Sequence, residues 1–217
     1  MGAVVEFIMR GGPFEIVLVF CSIIMVALFL ERLWTYRVVS RNNSIVKREV
    51  MEALKRGAVG DALRSCEATV STVGAVLAAG LRKRHLGAND AQDAMTFAIA
   101  SMQSFLERHL VWLSTIATVA PLLGFLGTVS GLYKAFVEVT VYGLGDPTKF
   151  AAGVAEALIT TVTGLVIAIP ANIAYNYFIN RSDAFVIEME AVARELIEQQ
   201  RQIKAVEVGG EHVAAAP

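Results

Sequence analysis

Side chains able to carry or relay a proton are sparse within the apolar blocks of this 217-residue chain, and those few are the most suggestive. Glu156 lies six positions past Phe150, roughly 9 Å along a helix. A carboxylate inside a membrane is costly and by default marks function; beside a boundary it can instead snorkel to the interface. Thr128, Thr160, Thr161 and Thr163 supply hydroxyls. A single threonine in such a helix commonly bonds its own backbone. However, Thr128 stands about 12 Å from an outer end at Phe136, and Thr161 about 16 Å from Phe150. On antiparallel helices these depths nearly match, so the spacing predicts one polar layer. Pro121 and Pro170 each withdraw a backbone donor and are expected to bend their helices, around a cavity or as plain kinks. No Asp, Lys or second carboxylate is placed deep in an apolar block. Glu156 alone makes a poor relay, so proton conduction would need another titrating group from a partner.

The elements that must hold these groups follow from an apolar surplus: 55% of residues are hydrophobic and 18% charged, against about 25% charged in a typical soluble domain. The balance of 19 Lys+Arg against 20 Asp+Glu also argues against a nucleic-acid binder. Two cysteines, Cys21 and Cys66, build no disulfide framework. The surplus falls in three blocks. Ile16 to Leu30 carries no charge, Leu110 to Tyr133 none until Lys134, and Ala157 to Asn180 none until Arg181. A span needs about 20 mostly apolar residues. The first block reaches that length with Gly12, Pro13 and Phe14, Glu15 reaching back to the interface. It lacks a basic start and a small-residue cleavage site, so it reads as an uncleaved helix.

The fold expected is therefore an all-α integral membrane protein with three transmembrane helices, at 13–30, 110–136 and 150–180. An interfacial helix at 1–12, a periplasmic loop at 137–149 and cytoplasmic helical regions at 31–109 and 181–217 complete it, with the end disordered from Gly209. Sixteen Lys and Arg fall in the two latter regions and three elsewhere (Arg10, Lys134, Lys149). Positive charge favours the cytoplasmic side, which puts the N-terminus outside and the C-terminus inside. Trp34, Tyr36 and Trp112 fit the cytoplasmic interface belt. Between the spans, Gly57 ends one amphipathic helix, Asp61 is placed to cap the next, and Gly87 breaks another. Asn89 with Gln92 resembles a capping box. A single helix is expected from Ala91 into the membrane, since no proline or glycine intervenes before Pro121.

Small residues recur at three- and four-residue spacing in the second span (Ala117, Ala120, Gly124, Gly127, Thr128, Gly131) and the third (Gly153, Ala157, Thr161, Gly164, Ala168). Such stripes let helix backbones approach closely in lipid, where packing rather than the hydrophobic effect drives association. They fit a plain bundle, or a bundle whose seams also line a pore. Phosphate loops, His/Cys metal clusters and Ser-His-Asp arrangements are lacking, and the three histidines read as structural or surface groups. The chemistry expected is transport rather than catalysis, with no cofactor and no metal.

Two stretches carry a resemblance. Ala120-Pro121-Leu122-Leu123-Gly124-Phe125-Leu126-Gly127-Thr128-Val129-Ser130-Gly131 resembles the second-helix motif of the ExbB/TolQ/MotA proton-channel family. Gly153-Val154-Ala155-Glu156-Ala157-Leu158-Ile159-Thr160-Thr161, continuing to Ala168-Ile169-Pro170-Ala171-Asn172, resembles the third-helix motif of its ExbB/TolQ branch. The four-helix MotA branch does not match this topology. The resemblance implies a pentamer around a dimer of a single-span ExbD/TolR-type partner whose membrane aspartate exchanges protons. Thr128 and Thr161 would face that aspartate, with Glu156 functionally important, and a TonB- or TolA-type periplasmic protein would be driven from the inner membrane. Two departures, a short outer loop from Val137 to Lys149 and Ser130 in place of a bulky aromatic, leave the driven process open. The competing expectation is a structural membrane scaffold that conducts nothing.

Overall fold

The computed structural model describes residues 12–143 and 147–214, all of whose regular structure is helical. In chain order the helices are α1 (Gly12–Lys55), α2 (Val59–Ala68), α3 (Thr72–Lys83), α4 (Ala88–Glu107), α5 (Leu110–Tyr142) and α6 (Pro147–Ala214), with a 3₁₀ turn at Arg84–Leu86. Three of them, α1, α5 and α6, are long and apolar enough to cross a membrane. The protein is thus an all-α multi-pass membrane protein. The interfacial helix expected at the N-terminus lies outside the described residues. Helix α6 continues through Gly209 and Gly210, where irregular chain was expected.

Among the described residues, those at 12–32 and 109–178 form one compact unit, and those at 33–108 with 179–214 a second. In the first, the start of α1, α5 and the start of α6 pack around Leu18, Ile116, Ala120, Ile167 and Ala171, with Cys21 as a small filler at the edge. The opposite faces expose Phe20, Ile23, Leu122, Phe125, Val162 and Ile169. That is the arrangement lipid requires: large apolar side chains outward and small residues between helices.

The second unit has a conventional apolar core, with Val46, Val50, Val73, Leu77, Met95, Met189 and Leu196 among its fully enclosed residues. Local sequence explains its corners. Gly57 closes α1 at φ +73° and Gly87 precedes α4 at φ +125°, both left-handed conformations suited to glycine. Asp61 sits inside the first turn of α2 rather than capping it, and Asn89 lies inside α4, whose cap position is Gly87. The expected continuous helix from Ala91 is interrupted at Arg108 and His109. Both form a turn there while keeping right-handed helical dihedrals.

The true cap of this unit is Ser71, whose hydroxyl accepts from the Gly74 amide at 3.0 Å. Buried Asn43 organises the surroundings. Its Oδ1 accepts from Ser71 Oγ (2.8 Å) and the amides of Thr72 (3.0 Å) and Val73 (3.3 Å), and its Nδ2 donates to Thr72 Oγ1 (3.0 Å). Removing it strands buried donors at the start of α3, each costing about 1–3 kcal/mol. Asn43→Ala is therefore expected to destabilise the unit by about 2–3 kcal/mol, seen as a lower melting temperature of the full chain in detergent by circular dichroism. Tyr36 also belongs to this interior. It is 4% exposed, donates to the Leu106 carbonyl at 3.2 Å and packs at a tilt against Phe185, whereas the interface belt was expected to hold it. Trp34 and Trp112 are exposed. Burial, with Glu67 beside it, pushes the Cys66 thiol up to about 11, which makes it inert rather than nucleophilic.

Candidate functional site

The seam between α5 and α6 is made by glycine. A Cβ built on Gly164 would stand 2.5 Å from the Ala120 carbonyl oxygen, one on Gly124 3.0 Å from the Thr161 Cα, and one on Gly127 2.7 Å from the Thr160 Cβ. Farther along, Gly131 meets Ala157 and Gly153 meets Ala135. All six packing residues of the sequence pattern (Gly124, Gly127, Gly131, Gly153, Ala157, Gly164) thus lie in one contact inside the subunit. Both helices run through their prolines, Pro121 and Pro170, without a break.

This close approach brings Thr128 and Thr161 together. Their hydroxyls are hydrogen-bonded to each other. Thr128 Oγ1 also lies 3.1 Å from the Gly124 carbonyl and 3.2 Å from that of Ala157, and Thr161 Oγ1 lies 3.0 Å from the Gly124 carbonyl across the seam. Each hydroxyl has one proton to give. If Thr161 donates to Thr128, Thr128 donates to Gly124 or Ala157; reversed, Thr128 donates to Thr161 and Thr161 to Gly124. The pair therefore has two complete hydrogen-bonding directions, and neither residue is fully buried. Such a pair can accept a proton on one oxygen while releasing one from the other.

The other hydroxyls do not join it. Thr160 is 1% exposed, fills the notch at Gly127 and donates to its own helix at the Ala157 carbonyl (2.9 Å). Glu156 stands a turn and a half nearer the start of α6 than Thr161. It is partly exposed, paired with Lys134 of α5 at 3.1 Å, and its carboxylate packs over the bare Cα of Gly12. Lys134 had been read only as the end of an apolar block. The antiparallel register that joins Thr128 to Thr161 also brings Lys134 to Glu156, so pairing the two helices in sequence would have found it.

One residue was misplaced. Glu15 was expected to reach the interface, yet it is 1% exposed, with Thr163 donating to it at 2.8 Å. At the far end of the first unit, Glu31, Arg32 and His109 form a cluster. Arg32 bonds both Glu31 oxygens at 2.6 Å and lies 3.0 Å from His109 Nδ1. The Arg32 guanidinium, with His109 behind it, holds the Glu31 carboxyl below the usual carboxylate range. Among the described residues no group of three or more His, Cys, Asp or Glu is arranged to hold a metal ion.

The fold and the site define a multi-pass helical membrane protein with a hydroxyl pair set in a glycine seam and an ion pair beside it. Sequence comparison makes this specific. Residues 68–191 match the model of the MotA/TolQ/ExbB proton channel family, and the chain belongs to that family, in its ExbB/TolQ branch. It is 31% identical to the ExbB-like 1 biopolymer transport protein of Synechocystis, over 87% of this chain and 75% of that one. It is 29% identical to an ExbB homolog of Methanothermobacter thermautotrophicus, over 89% and 69% respectively. Over a shorter stretch, 43% of this chain and 40% of the relative, it is 40% identical to the Tol-Pal system protein TolQ of Pseudomonas aeruginosa. Members of this family are channel proteins that energise transport.

Proposed function

We propose that this protein is the proton-channel stator subunit of an inner-membrane motor. Copies of the subunit, five in the expected assembly, surround a dimer of a single-span ExbD/TolR-type partner. The partner's membrane aspartate exchanges protons against the Thr128–Thr161 pair, and the resulting motion drives a TonB- or TolA-type periplasmic protein. The N-terminus lies in the periplasm and the C-terminus in the cytoplasm, as the distribution of Lys and Arg favours. The observation that carries this reading is the hydroxyl pair. Two facing, incompletely buried hydroxyls at matched depth in an apolar seam supply the relay, and the family supplies the carboxylate that the seam lacks.

The test is reconstitution. The full chain, co-expressed with a single-span partner carrying a membrane aspartate, should co-purify with it in a five-to-two ratio by native mass measurement and dissipate an imposed proton gradient in liposomes. A complex that inserts but holds the gradient would instead identify a structural scaffold, the function that the seam alone explains.

A further inference from the structure

The start of α1 brings a second carboxyl into the first unit, against a face of α6 other than the one that carries Thr161. Glu15 is 1% exposed. Its Oε1 receives a hydrogen bond from Thr163 at 2.8 Å, and its Oε2 is buried with no hydrogen-bond partner among the described residues. Thr163 Oγ1 also lies 3.1 Å from the Ile159 carbonyl of its own helix. Thr163 is seven positions past Glu156, two helical turns, so the two residues share a face of α6. Glu156 in turn packs over Gly12, three positions before Glu15 on α1. One face of α6 thus meets the first turn of α1 at two carboxyls.

Their surroundings differ. Glu156 has a cation, Lys134 of α5. Glu15 has none among the described residues: Lys134 is engaged with Glu156, and Glu31, Arg32 and His109 begin sixteen residues further on, roughly 24 Å along α1. As an anion, Glu15 would be an enclosed full charge held by one neutral donor, a state far costlier than a neutral acid. As an acid, it donates a hydrogen bond to Thr163 Oγ1, and Thr163 donates its own to the Ile159 carbonyl, so every donor is used. A hard cation would need six or more oxygens, whereas the carboxyl meets a single hydroxyl.

We propose that Glu15 is a second proton-binding carboxyl of this subunit, occupied through Thr163 in the α1–α6 contact beside the Glu156–Lys134 pair. The inference stands on the Glu15 geometry and not on the motor reading. It is tested by occupancy rather than transport, so either can fail alone. Dicyclohexylcarbodiimide attacks protonated carboxyls in apolar sites, and peptide mass mapping of the full chain labelled in its native membrane locates the adduct. At neutral pH Glu15 should be modified at least about tenfold faster than Glu156, and labelling should fall as the pH rises. Thr163→Val, which removes the one donor to the anion, should move that fall to higher pH. Glu15→Gln, isosteric with the neutral acid, should abolish the adduct and keep the parent melting temperature. The proposal is overturned if Glu15 stays unlabelled at acid pH while Glu156 reacts. It is equally overturned if sodium in place of choline protects Glu15, or if Glu15→Gln melts like a broken ion pair.

Discussion

Thr161→Val should abolish proton-coupled activity while leaving the subunit folded and inserted. The substitution keeps the side-chain shape and removes one hydroxyl. What is lost structurally is a bond to the Gly124 carbonyl and one to Thr128. The Gly124 carbonyl keeps Thr128 Oγ1 within 3.1 Å, so stability should fall by only about 1 kcal/mol. The relay, by contrast, loses one of its two oxygens, and proton transfer through a positioned side chain contributes about 10²–10⁴-fold in rate. Proton flux through the reconstituted complex is therefore expected to drop at least about a hundredfold, while Thr161→Ser should retain most of it. Glu156→Ala, which leaves Lys134 without its partner, should also abolish coupling, while the partial exposure of the pair lets the fold tolerate the loss. Full flux in both Thr161→Val and Glu156→Ala would remove the proton path from these residues.

The second large effect concerns stability. Gly164→Ala places a methyl carbon 2.5 Å from the Ala120 carbonyl oxygen, with the Gly124 Cα 3.3 Å away. These are backbone atoms of α5, so no rotamer change can make room, and the helices must separate along the whole seam. Overpacking of this kind costs about 1–3 kcal/mol, and the larger Gly164→Leu should prevent α5 and α6 from pairing. Gly60→Ala is the matched control. It lies inside α2 with open space where its Cβ would be, so exchange there should be neutral or stabilising by up to about 1 kcal/mol. Thermal melting in detergent measures both, and equal melting temperatures for the two alanine variants would refute the close packing.

Much of the membrane unit was legible in the sequence because lipid imposes simple rules. A charge-free run long enough to span, glycines at three- and four-residue spacing and hydroxyls at matched depth are all properties of single helices, and they suffice to pair α5 with α6 and Thr128 with Thr161. What escaped depends on how a third helix is rotated against that pair. Helix α1 has no small-residue stripe to fix its facing, so nothing in its pattern distinguishes a Glu15 that snorkels from one that is buried against Thr163. The same holds for Tyr36, whose amphipathic ring suits an interface belt and an interior bond to Leu106 equally well. Asn43 escaped for another reason: its partners Ser71, Thr72 and Val73 are about 30 residues away, and their meeting is a product of tertiary packing.

The glycine seam has a mechanical side as well. Glycine has no rotamers and alanine only a methyl, so where backbone lies against backbone, as at Gly124 and Gly164, little can hop or creep under load. Compliance in such a unit would come from the bulky outward-facing residues and the lipid around them, and the seam would hold the two threonines at constant separation under load. A housing that must not yield while something turns against it would be built this way, with softness kept to its outer surface.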